Sequence, residues 1–559
     1  MNEIFKIGVI IQGFQMNRFE KDLIEKLNSS NLNIKLYAIL EHKKKENLFS
    51  FILRKTKQHG LLRLFELILF KIIFILEKNL LKFSFPKVKY LENKFILDQK
   101  IFHKIINVKP IFSKYKIFSN YSDEDKDLIL KENLDIVLRG NVYEIFRSNK
   151  LNIAKFGVIS FHHGDFTWNR GGPPGFWETV LDKISSGFII QILNENLDNG
   201  KVIFKGEFPT QKLYVLNLYN LLAESNNHII KVIEKILLTQ NIEIISSSQN
   251  FKNKILKAPN YLYTSKYIFK KLKLFLLLFY RKYIKKTSQR WEVCFSRSNL
   301  HQYNFKEFKK IKNVEGRFFA DPFIFKKGLK HYIFVEDFFK DKKKGSISVI
   351  KINDNDEYKI YEKVIDEDFH MSYPFIFEYK DKIYMTPETS TKGIRLYECI
   401  KFPDVWKYNY NLIENTKCVD TNIIYHDKLY WLFTSQTQNK DFSSQQYIYY
   451  SDSPISQIWT EHPNNPIFFD IINGRNGGSA EIKDQKFRMT QSYGFNRYNE
   501  IQYGHSLKIN KIEKLDKQSF LQTEFKDVNQ NDNPSIIGIH HVNSIDNFIV
   551  FDRSYFDKF

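Results

Sequence analysis

Cysteine is scarce in this sequence, and the cysteines present are far apart. Only three occur among 559 residues, at Cys294, Cys399 and Cys418. An odd number at such spacing excludes a disulfide framework and a paired-cysteine metal site. We therefore expect a fold without disulfides in a reducing compartment, and no metal site.

Targeting and membrane-spanning signals are also lacking. The first residues lead directly into an apolar run at 6–11, with no small-residue cleavage site of a secretory leader. The apolar stretch 61–77 carries charges at positions 63, 66, 71 and 77, whereas a spanning helix needs roughly 20 apolar residues in succession. These absences predict a cytoplasmic protein that does not cross a membrane.

Acidic residues are outnumbered, with 63 Asp and Glu against 85 Lys and Arg, for a net charge of +22. This excess favours anionic partners such as phosphate-bearing sugars, nucleotides or an acidic membrane surface. Solvated lysine-rich helix faces are the alternative explanation. No nucleic-acid motif accompanies the charge, so no nucleic-acid partner is expected. The length predicts two or three domains.

The first half has the pattern of an α/β domain. Apolar runs at 6–11 and 33–40 flank a segment with helical spacing at 18–27, and further apolar runs follow at 134–138 and 187–193. Strand, helix and strand in this order predict a Rossmann-like parallel sheet covered by helices. The first turn lacks the glycine-rich dinucleotide fingerprint.

A polar motif follows one of these runs. Residues 156–159 are apolar and end at Ser160, His162 and His163, before a loop dense in glycine and proline at 169–175. Asp198 lies downstream in Leu-Asp-Asn-Gly. In open α/β sheets, ligands bind at the carboxyl edge of the strands, so this motif predicts a functional site there.

Position by position, residues 157–200 resemble the N-terminal catalytic domain of the 10-formyltetrahydrofolate-dependent formyltransferases, both the methionyl-tRNA and the sugar N-formyltransferases. The resemblance spans about residues 1–245. His162, Arg170-Gly171, Pro174 and Asp198 fall on the family motif. Ser160 stands where the family has an Asn that helps to hold the oxyanion. The resemblance implies transfer of a formyl group from 10-formyltetrahydrofolate to an amino group. The expected acceptors are nucleotide- or lipid-linked amino sugars in surface-glycan biosynthesis.

The resemblance also implies residue roles. His162 would stabilise the tetrahedral intermediate and relay a proton, Asp198 would orient it and deprotonate the amine, and Ser160 would donate one hydrogen bond. A satisfied core histidine and a turn-capping aspartate are the alternative. The predicted substrate- or cofactor-binding residues are Arg139, Gly140, His163, Gly164, Asp165, Arg170, Gly171 and Pro174. A metal at the histidines is not expected, because adjacent strand residues point to opposite faces.

Two segments are both apolar and basic. Residues 43–100 depart from the formyltransferase pattern as a helical insertion, and residues 267–286 alternate lysines with leucine and phenylalanine. Either segment suits peripheral contact with an anionic membrane. The alternative for residues 43–100 is a helix packed on its own domain or on a dimer partner. The alternative for residues 267–286 is a helix whose apolar side chains hold the two domains together. The oligomeric state is left open.

From Trp291 onward the sequence repeats about every 50 residues. Ala320-Asp321-Pro322, Ser372-Tyr373-Pro374 and Val419-Asp420-Thr421 each precede an apolar strand pair, and weaker copies begin near residues 478 and 539. Two apolar strands and a charged turn in each copy predict propeller blades, five in number.

This half resembles the five-bladed propellers of family-43-type glycosidases and the propeller domain of glucosaminyl inositolphosphorylceramide transferases. The resemblance implies an axial mouth lined by Asp321, Tyr373, Glu388, Asp420, Glu481 and His540. Carboxylates on blades one, three and four match the base, pKa-tuning and acid positions of those glycosidases. Glycan binding, glycosidase or glycosyltransferase-type activity, and a structural role all stay open.

The sequence thus predicts an α/β domain at 1–250 with a helical insertion at about 43–100, a basic amphipathic linker at 251–290 and an all-β five-bladed propeller at 291–559. Its main functional hypothesis is formyl transfer to an amino sugar. The alternatives are a glycan-binding scaffold that has lost this activity, and glycosidase- or glycosyltransferase-type chemistry in the propeller.

Overall fold

The computed structural model describes residues 4–42, 53–54, 56–58, 60–142, 144–165, 169–195, 200–245, 255–298, 300, 307–389, 391–436, 444–482, 484–496, 500–528 and 537–558. The chain divides into two compact units. Unit 1 consists of Met1–Gly206 and Thr210–Leu274, and unit 2 of Phe275–Phe559 together with Glu207–Pro209.

Unit 1 is built on a seven-stranded sheet. Its strands, in chain order, are β1 (Phe5–Ile11), β2 (Ile34–Glu41), β3 (Lys104–Val108), β4 (Ile136–Arg139), β5 (Val158–His162), β6 (Ser185–Ile192) and β7 (Lys201–Pro209). They lie in the order β7-β6-β5-β4-β1-β2-β3. Strands β3, β2, β1, β4 and β5 are parallel, and β6 is antiparallel to β5. The parallel α/β sheet predicted from the sequence is present.

Helices cover this sheet. They are α1 (Arg18–Asn28), α2 (Leu61–Ser84), α3 (Asp123–Leu130), α4 (Phe176–Val180), α5 (Tyr214–Thr239) and α6 (Tyr261–Phe279), and a π-helical turn follows at Tyr280–Lys285. Ser122 caps α3 by accepting a hydrogen bond from the Asp125 amide at 3.1 Å, as the acidic start of that segment predicts. Among the described residues, no helix combines the length and the apolar character needed to cross a membrane.

Short segments complete unit 1. They are the strands Gln15–Met16, Phe95–Ile96, Ile111–Phe112, Phe118–Asn120, Ile145–Phe146, Arg170–Gly171 and Ile255–Leu256, and the 3-10 turns Pro86–Leu91, Gln99–Ile101 and Ser148–Lys150. Arg170–Gly171 pairs in parallel with Ile255–Leu256. This pairing ties the glycine- and proline-rich loop to the segment before α6.

Apart from the end of α6 and the π-helical turn, the described elements of unit 2 are strands. They are β8 (Thr287–Ser296), β9 (Lys309–Lys310), β10 (Arg317–Lys327), β11 (Lys330–Phe339), β12 (Lys344–Ile352), β13 (Tyr358–Ile365), β14 (Ser372–Tyr379), β15 (Lys382–Glu388), β16 (Ile394–Lys401), β17 (Val405–Ile413), β18 (Cys418–His426), β19 (Leu429–Gln436), β20 (Gln445–Ser451), β21 (Thr460–Glu461), β22 (Asn476–Ile482), β23 (Gln485–Phe495), β24 (Ile501–Leu515), β25 (Phe520–Val528), β26 (Val542–Ile545) and β27 (Phe548–Lys558), with a short strand Phe468–Phe469 beside β20.

These strands form sheets of four, four, five and eight strands, and the eight-stranded sheet divides into two groups of four, so that five groups result. Four follow the chain as β10–β13, β14–β17, β18–β21 and β22–β25, whereas the fifth combines β26 and β27 with β8 and β9. Strand β8 pairs antiparallel with β27, from Thr287 opposite Lys558 to Ser296 opposite Ile549. The first and last strands of the unit therefore share one sheet.

The first strands of the five groups contact one another in a closed cycle. Strand β10 contacts β14, β14 contacts β18, β18 contacts β22, β22 contacts β26, and β26 contacts β10. The cycle places the starts of all five groups around a common centre. Residues predicted separately from five repeats are thereby brought within reach of one another.

A bulge recurs near the start of these first strands. Register shifts lie between Ala320 and Phe323 in β10, and at the matching places in β14, β18 and β22. Asp321, Tyr373 and Asp420 occupy the bulges with φ of 50°, 47° and 51°. Because a bulge redirects a side chain, this backbone turns all three residues out of the usual strand alternation.

Candidate functional site

Unit 1 contains a cavity of about 670 Å³ at the carboxyl ends of β1, β4 and β5, bounded by α1 and α5. Seven residues predicted from the sequence line it, namely Arg139, Gly140, Ser160, His162, His163, Gly171 and Pro174. The structure therefore brings together most of the residues singled out in the first half. Asp198 lies outside the described residues.

The cavity wall is mainly apolar. Aliphatic and aromatic side chains from the sheet and from α1, α2 and α5 form it, including Val9, Ile24, Phe74, Leu138, Leu218 and Leu222. Polar groups are fewer, and they include Asn17, Glu20, Asn93, Asn141 and Asn226. Apolar walls with a few polar groups are typical of sites for small organic ligands.

The two adjacent histidines have different environments. His162 is half-buried, and its Nε2 lies 3.3 Å from the carbonyl oxygen of Asn169. The His163 Nε2 lies 3.0 Å from the Ser225 hydroxyl. Burial, assisted by the neighbouring His162 and Arg139, lowers the pKa of His163 to about 3. His163 is therefore neutral throughout the physiological pH range.

Ser160 does not offer its hydroxyl to the cavity. The Oγ donates to the carbonyl oxygen of Phe161 at 3.1 Å, and the residue is only 4% exposed. An oxyanion site needs donors aimed at the developing charge. Ser160 is thus directed to backbone, and the nearby His163 already has a partner in Ser225.

Several predicted binding groups have structural partners instead. The Gly140 amide donates to the Ile10 carbonyl at 3.1 Å, and the Arg139 Nε donates to the Val142 carbonyl at 2.8 Å. Asp165 forms an ion pair with Lys205 at 2.9 Å. Among the described residues, the cavity lining does not include Gly164, Asp165 or Arg170, so the structure gives no support for their direct contact with a ligand in this cavity.

Glu178 was missed by sequence reasoning. It is fully buried in α4, and one carboxylate oxygen accepts a hydrogen bond from the Asn169 amide at 2.6 Å. Burial raises the pKa of Glu178 to about 7. Because the Asn169 carbonyl also faces His162, Asn169 connects the buried acid to the histidine. The sequence feature that could have identified Glu178 is its position directly after Gly-Phe-Trp.

Unit 2 contains a buried cluster of charged side chains near the cycle of first strands. All five sheets contribute to it: Asp321 and Glu336 from the first, Glu388 from the second, Asp420 from the third, Arg475 immediately before the fourth, and His540 and Asp552 from the fifth. Four of the six predicted axial residues, Asp321, Glu388, Asp420 and His540, therefore lie in one cluster.

Asp552 fixes one side of this cluster. It accepts hydrogen bonds from the backbone amides of Asp321 and His541 at 2.9 Å each and faces the His540 Nδ1 at 2.6 Å. Burial favours a neutral His540 ring, but Asp552 and Asp321 raise the pKa of His540 above its usual value. The ligand atoms of Asp321, His540 and Asp552 lie within 4.8 Å of one another. This spacing suits a metal ion, but the hydrogen bonds of Asp552 also explain why the three side chains lie close together.

Arg475 occupies the other side. Its Nε donates to the Asp420 carboxylate, and its Nη2 lies 3.9 Å from a Glu388 oxygen. Gln491 also donates to Asp420, at 3.1 Å. Burial, together with the neighbouring Asp420 carboxyl, holds the pKa of Glu388 well above its usual range. Glu388 therefore holds a proton more strongly than an ordinary glutamate does.

Asp321 lies between these two sides. Burial raises its pKa to about 7, and His540 opposes this shift. Two aromatic residues adjoin the cluster: the Trp291 ring stacks on His540 at a centroid distance of 3.7 Å, and the Tyr503 ring lies 4.5 Å from the Arg475 guanidinium. Both aromatic residues are half-buried, so they link the buried charges to solvent.

Two predicted axial residues have other roles. Glu481 is an exposed residue of β22 that pairs with Lys486 at 3.0 Å, so its prediction as an axial acid is wrong. The Tyr373 hydroxyl accepts from the Gly478 amide at 2.8 Å and donates to Asn422 at 3.2 Å, which gives it a structural role. Sequence reasoning missed Glu336, Arg475 and Asp552, which lie outside the repeated first-strand motif.

The amino-acid sequence of unit 2 matches a known family. The family model described as glucosamine inositolphosphorylceramide transferase 1, N-terminal, matches residues 280–536. The chain is 34% identical over 218 residues to glucosamine inositolphosphorylceramide transferase 1 of Arabidopsis thaliana, covering 38% of this chain and 28% of that protein. The transferase of the same name from Oryza sativa subsp. japonica is 33% identical over 210 residues, covering 36% and 27%. The chain thus spans under a third of the length of these relatives.

Solved structures resemble each half only distantly. A thermostable family-43 glycoside hydrolase has a TM-score of 0.33 and 10% identity, covering 44% of this chain and 90% of that structure. A sugar N-formyltransferase from a Shewanella species has a TM-score of 0.27 and 15% identity, covering 48% and 89%.

These comparisons correct the main functional hypothesis. The curated relatives are named as glucosamine inositolphosphorylceramide transferases, so the predictions of a formyltransferase and of 10-formyltetrahydrofolate as its cofactor are wrong. The orientation of Ser160 toward backbone agrees with this correction. The expectation of a cytoplasmic protein is wrong as well, since the relatives are named for a ceramide, which is a membrane lipid. The glycosyltransferase-type alternative fits the comparisons better.

Proposed function

We propose that unit 2 is a five-bladed propeller that acts in glycosyl transfer during assembly of a lipid-linked glycan. The observation that carries this proposal is the convergence of carboxyl groups from separate sheets on Arg475, within a segment that matches the transferase family. The closed cycle of first strands supports the propeller arrangement. The proposed activity shares with the named relatives that it is a transferase activity related to carbohydrate.

The cluster contains a candidate acid and a candidate base for glycosyl transfer. Departure of a leaving group from a sugar is assisted by an acid, while a carboxylate stabilises positive charge at the sugar ring or accepts the acceptor's proton. Glu388, whose pKa burial holds well above its usual range, is the candidate acid. Asp321, with a pKa of about 7, is available as a base near neutral pH.

The remaining charged groups position these two. Arg475 and Gln491 both donate to Asp420, which fixes that carboxylate beside Glu388. His540 faces Asp321 at 3.7 Å. We assign Glu388 as proton donor, Asp321 as proton acceptor, and Asp420 with Arg475 as the pair that holds Glu388 in place.

The carboxyl groups and the aromatic rings of the cluster suit an amino sugar. Five acids, Asp321, Glu336, Glu388, Asp420 and Asp552, surround two basic groups, Arg475 and His540. The carboxyl oxygens of these acids can accept hydrogen bonds from the hydroxyl and amino groups of a sugar such as glucosamine. Half-buried aromatic rings provide flat apolar surface of the kind that packs on a sugar face. Trp291 and Tyr503 are the candidates for this contact.

The proposal is tested with the full chain and a panel of nucleotide-activated hexosamines and nitrophenyl glycosides, by measuring release of nucleotide or nitrophenol. Glu388→Gln and Asp321→Asn are expected to lower the rate by about a hundredfold or more, since a positioned acid or base contributes on that order. Glu481→Gln is the matched control, because this exposed acid lies outside the cluster, and its rate should be unchanged.

Two results would overturn the assignment. Turnover that survives both cluster substitutions at the wild-type rate would exclude these groups as catalytic. Saturable sugar binding without turnover of any donor would identify unit 2 as a glycan-binding module instead. Thermal unfolding of each variant establishes that a lost rate does not reflect a lost fold.

The cavity of unit 1 is a second candidate site, favoured by its volume of about 670 Å³ and its mainly apolar wall. We propose that it binds a small amphipathic ligand, with His162 and Arg139 at its polar edge. A thermal-shift screen tests this. A ligand at one hundred times its Kd adds about 2.7 kcal/mol of stability, and Leu222→Trp, which fills the cavity, should abolish the shift.

A further inference from the structure

Helix α2 carries its apolar side chains on the outside. Nine large apolar residues are between 40% and 91% exposed, namely Leu61, Leu62, Phe65, Ile68, Ile72, Ile75, Leu76, Leu80 and Phe83. In contrast, Glu66 is buried. A surface helix of a globular protein usually shows the reverse pattern, with apolar residues toward the core. This orientation of α2 raises two questions: which contacts fix it, and what the exposed apolar residues bind.

The inward side of α2 fixes that orientation. Glu66 accepts hydrogen bonds from Arg63 at 2.7 Å and from the Tyr261 amide at 3.1 Å. Glu77 accepts from the Val215 amide at 2.8 Å and from the Tyr267 hydroxyl. Rotating the helix would leave buried backbone donors unpaired, which costs about 1–3 kcal/mol for each group. The apolar face is thus held toward solvent by polar contacts beneath it.

Aromatic packing strengthens this arrangement. Phe70 and Phe74 of α2 pack against Tyr214, with ring centroids 5.7 Å and 5.5 Å apart, and Phe70 also meets Phe176 at 5.0 Å. These contacts occupy the apolar residues that do face inward. The exposed residues are therefore a surplus beyond what the core of unit 1 uses.

Helix α6 adds basic charge beside α2. Residues 261–290 contain nine Lys and Arg residues and no Asp or Glu. Lys266 and Lys273 are exposed, and so are the apolar residues Leu262, Ile268, Phe269 and Leu272. The contacts of Glu66 with Tyr261 and of Glu77 with Tyr267 join the two helices at two levels. We call the exposed apolar residues of α2 and these six residues of α6 the docking face.

We infer that the docking face binds the surface of an anionic lipid bilayer. Apolar side chains of an interfacial helix enter the boundary between headgroups and acyl chains, and lysines beside them attract anionic lipids. The charge of the chain, +22 in total, adds a long-range attraction of the same sign. This inference does not depend on the glycosyl chemistry proposed for unit 2.

A second copy of the chain fits the docking face less well. In a two-fold symmetric contact, the same patch of each copy faces the other. The two copies would then bring the lysines of both faces together, while α6 contains no acid and Glu66 and Glu77 of α2 accept hydrogen bonds on its inward side. An anionic bilayer satisfies both the apolar and the basic part of this face.

The test is flotation of the full-length chain with vesicles of phosphatidylcholine alone or with 30% phosphatidylglycerol, a composition chosen so that lysines are attracted to the surface. Binding is expected to the mixed vesicles and to fall as salt is raised. Phe65→Glu with Leu76→Glu should lower the bound fraction at least about tenfold, because binding scales with buried apolar area. Leu329→Glu with Ile458→Glu is the matched control, since both residues are at least 80% exposed yet lie outside the docking face.

Charge is tested separately. Lys266→Gln with Lys273→Gln should weaken binding to the mixed vesicles about fivefold for each lysine. Equal flotation of wild type and the Phe65→Glu, Leu76→Glu variant would overturn the inference. A second result would also overturn it. The wild type would form a dimer without lipid, detected by light scattering, and would not bind vesicles, whereas the Phe65→Glu, Leu76→Glu variant would be a monomer.

Discussion

Burial sets the charge of Glu178, and this has a measurable effect on stability. Its pKa is about 7 in the folded chain and about 4.3 for an unfolded glutamate. Between these values the folded state binds more protons than the unfolded state, so the free energy of unfolding falls as pH rises through this window. Below it the difference vanishes.

Glu178→Gln is expected to remove this pH dependence. The variant should gain up to about 3 kcal/mol relative to wild type at pH 8 and little at pH 4. Urea unfolding of both proteins at the two pH values measures it. A gain of equal size at both pH values would contradict the assigned pKa, because a neutral glutamine differs from a glutamate only where the latter is charged.

Gly171 shows a second constraint at a single residue. Its φ is +99°, and a Cβ placed there would lie 2.1 Å from the carbonyl oxygen of Leu256. Gly171→Ala is therefore expected to cost about 2 kcal/mol or more in thermal unfolding. Gly172→Ala is the matched control, since the nearest atom to its Cβ lies at 3.6 Å. Equal losses would show that the loop relaxes around Gly171.

The sequence predicted which residues surround the cavity but not how they are directed. Ser160, His162 and His163 follow an apolar run, and this placed them correctly at the sheet edge. The direction of the Ser160 hydroxyl toward Phe161 and the pairing of His163 with Ser225 depend on tertiary contacts. Ser225 lies 62 residues from His163 in the sequence, so no local sequence pattern predicts this contact.

At the scale of secondary-structure elements, Asp552 of β27 links three chain segments. Its carboxylate accepts from the amides of Asp321 in β10 and of His540 and His541 before β26. Because it is fully buried, removal of its charge leaves several donors without a full partner. Breaking one partner of a buried charged pair typically costs about 3–5 kcal/mol.

Asp552→Asn is therefore expected to destabilise unit 2 by about 3 kcal/mol or more, as measured from its transition in chemical unfolding. Asp546→Asn is the control, because this acid pairs with Lys326 at the surface, where an ion pair is worth about 0–1 kcal/mol. Similar losses in the two variants would show that the hydrogen bonds to Asp552 contribute little.

The repeat pattern predicted the first strands, and it failed where a copy was irregular. Asp321, Tyr373 and Asp420 occupy equivalent bulges, as their shared motif indicates. In the fourth group the bulge falls between Asn476 and Ser479, so Glu481 lies farther along β22 and faces solvent. Arg475 and Asp552 come from positions outside the repeat, which is why the motif did not identify them.

At the scale of the whole molecule, unit 2 is closed by strands from its two ends. Strands β8 and β27 pair along their lengths, and this pairing completes the fifth sheet. Deletion of residues 548–559 is expected to leave β8 without this partner and to make residues 307–528 sensitive to protease, with unit 1 still resistant. Deletion of residue 559 alone is the control, and equal resistance of both truncated chains would contradict this role.

The main functional hypothesis failed because it was weighted toward one half of the chain. The motif around His162 resembles a formyltransferase over a short stretch, whereas the match to the transferase family extends over residues 280–536. A short motif reports local backbone geometry, which unrelated activities can share. Arg475 and Asp552 of unit 2 had no comparable motif, because they meet Asp420 and His540 only after folding.

The pairing of β8 with β27 also has a consequence for protein synthesis. Domains fold as units while the ribosome is still adding residues. Unit 1 can acquire its sheet early, but β8 must wait for more than 250 residues until β27 emerges. During that interval the edge of β8 is an open template for strands of neighbouring nascent chains. Chaperone dependence during translation should therefore concentrate in the second half of the polypeptide.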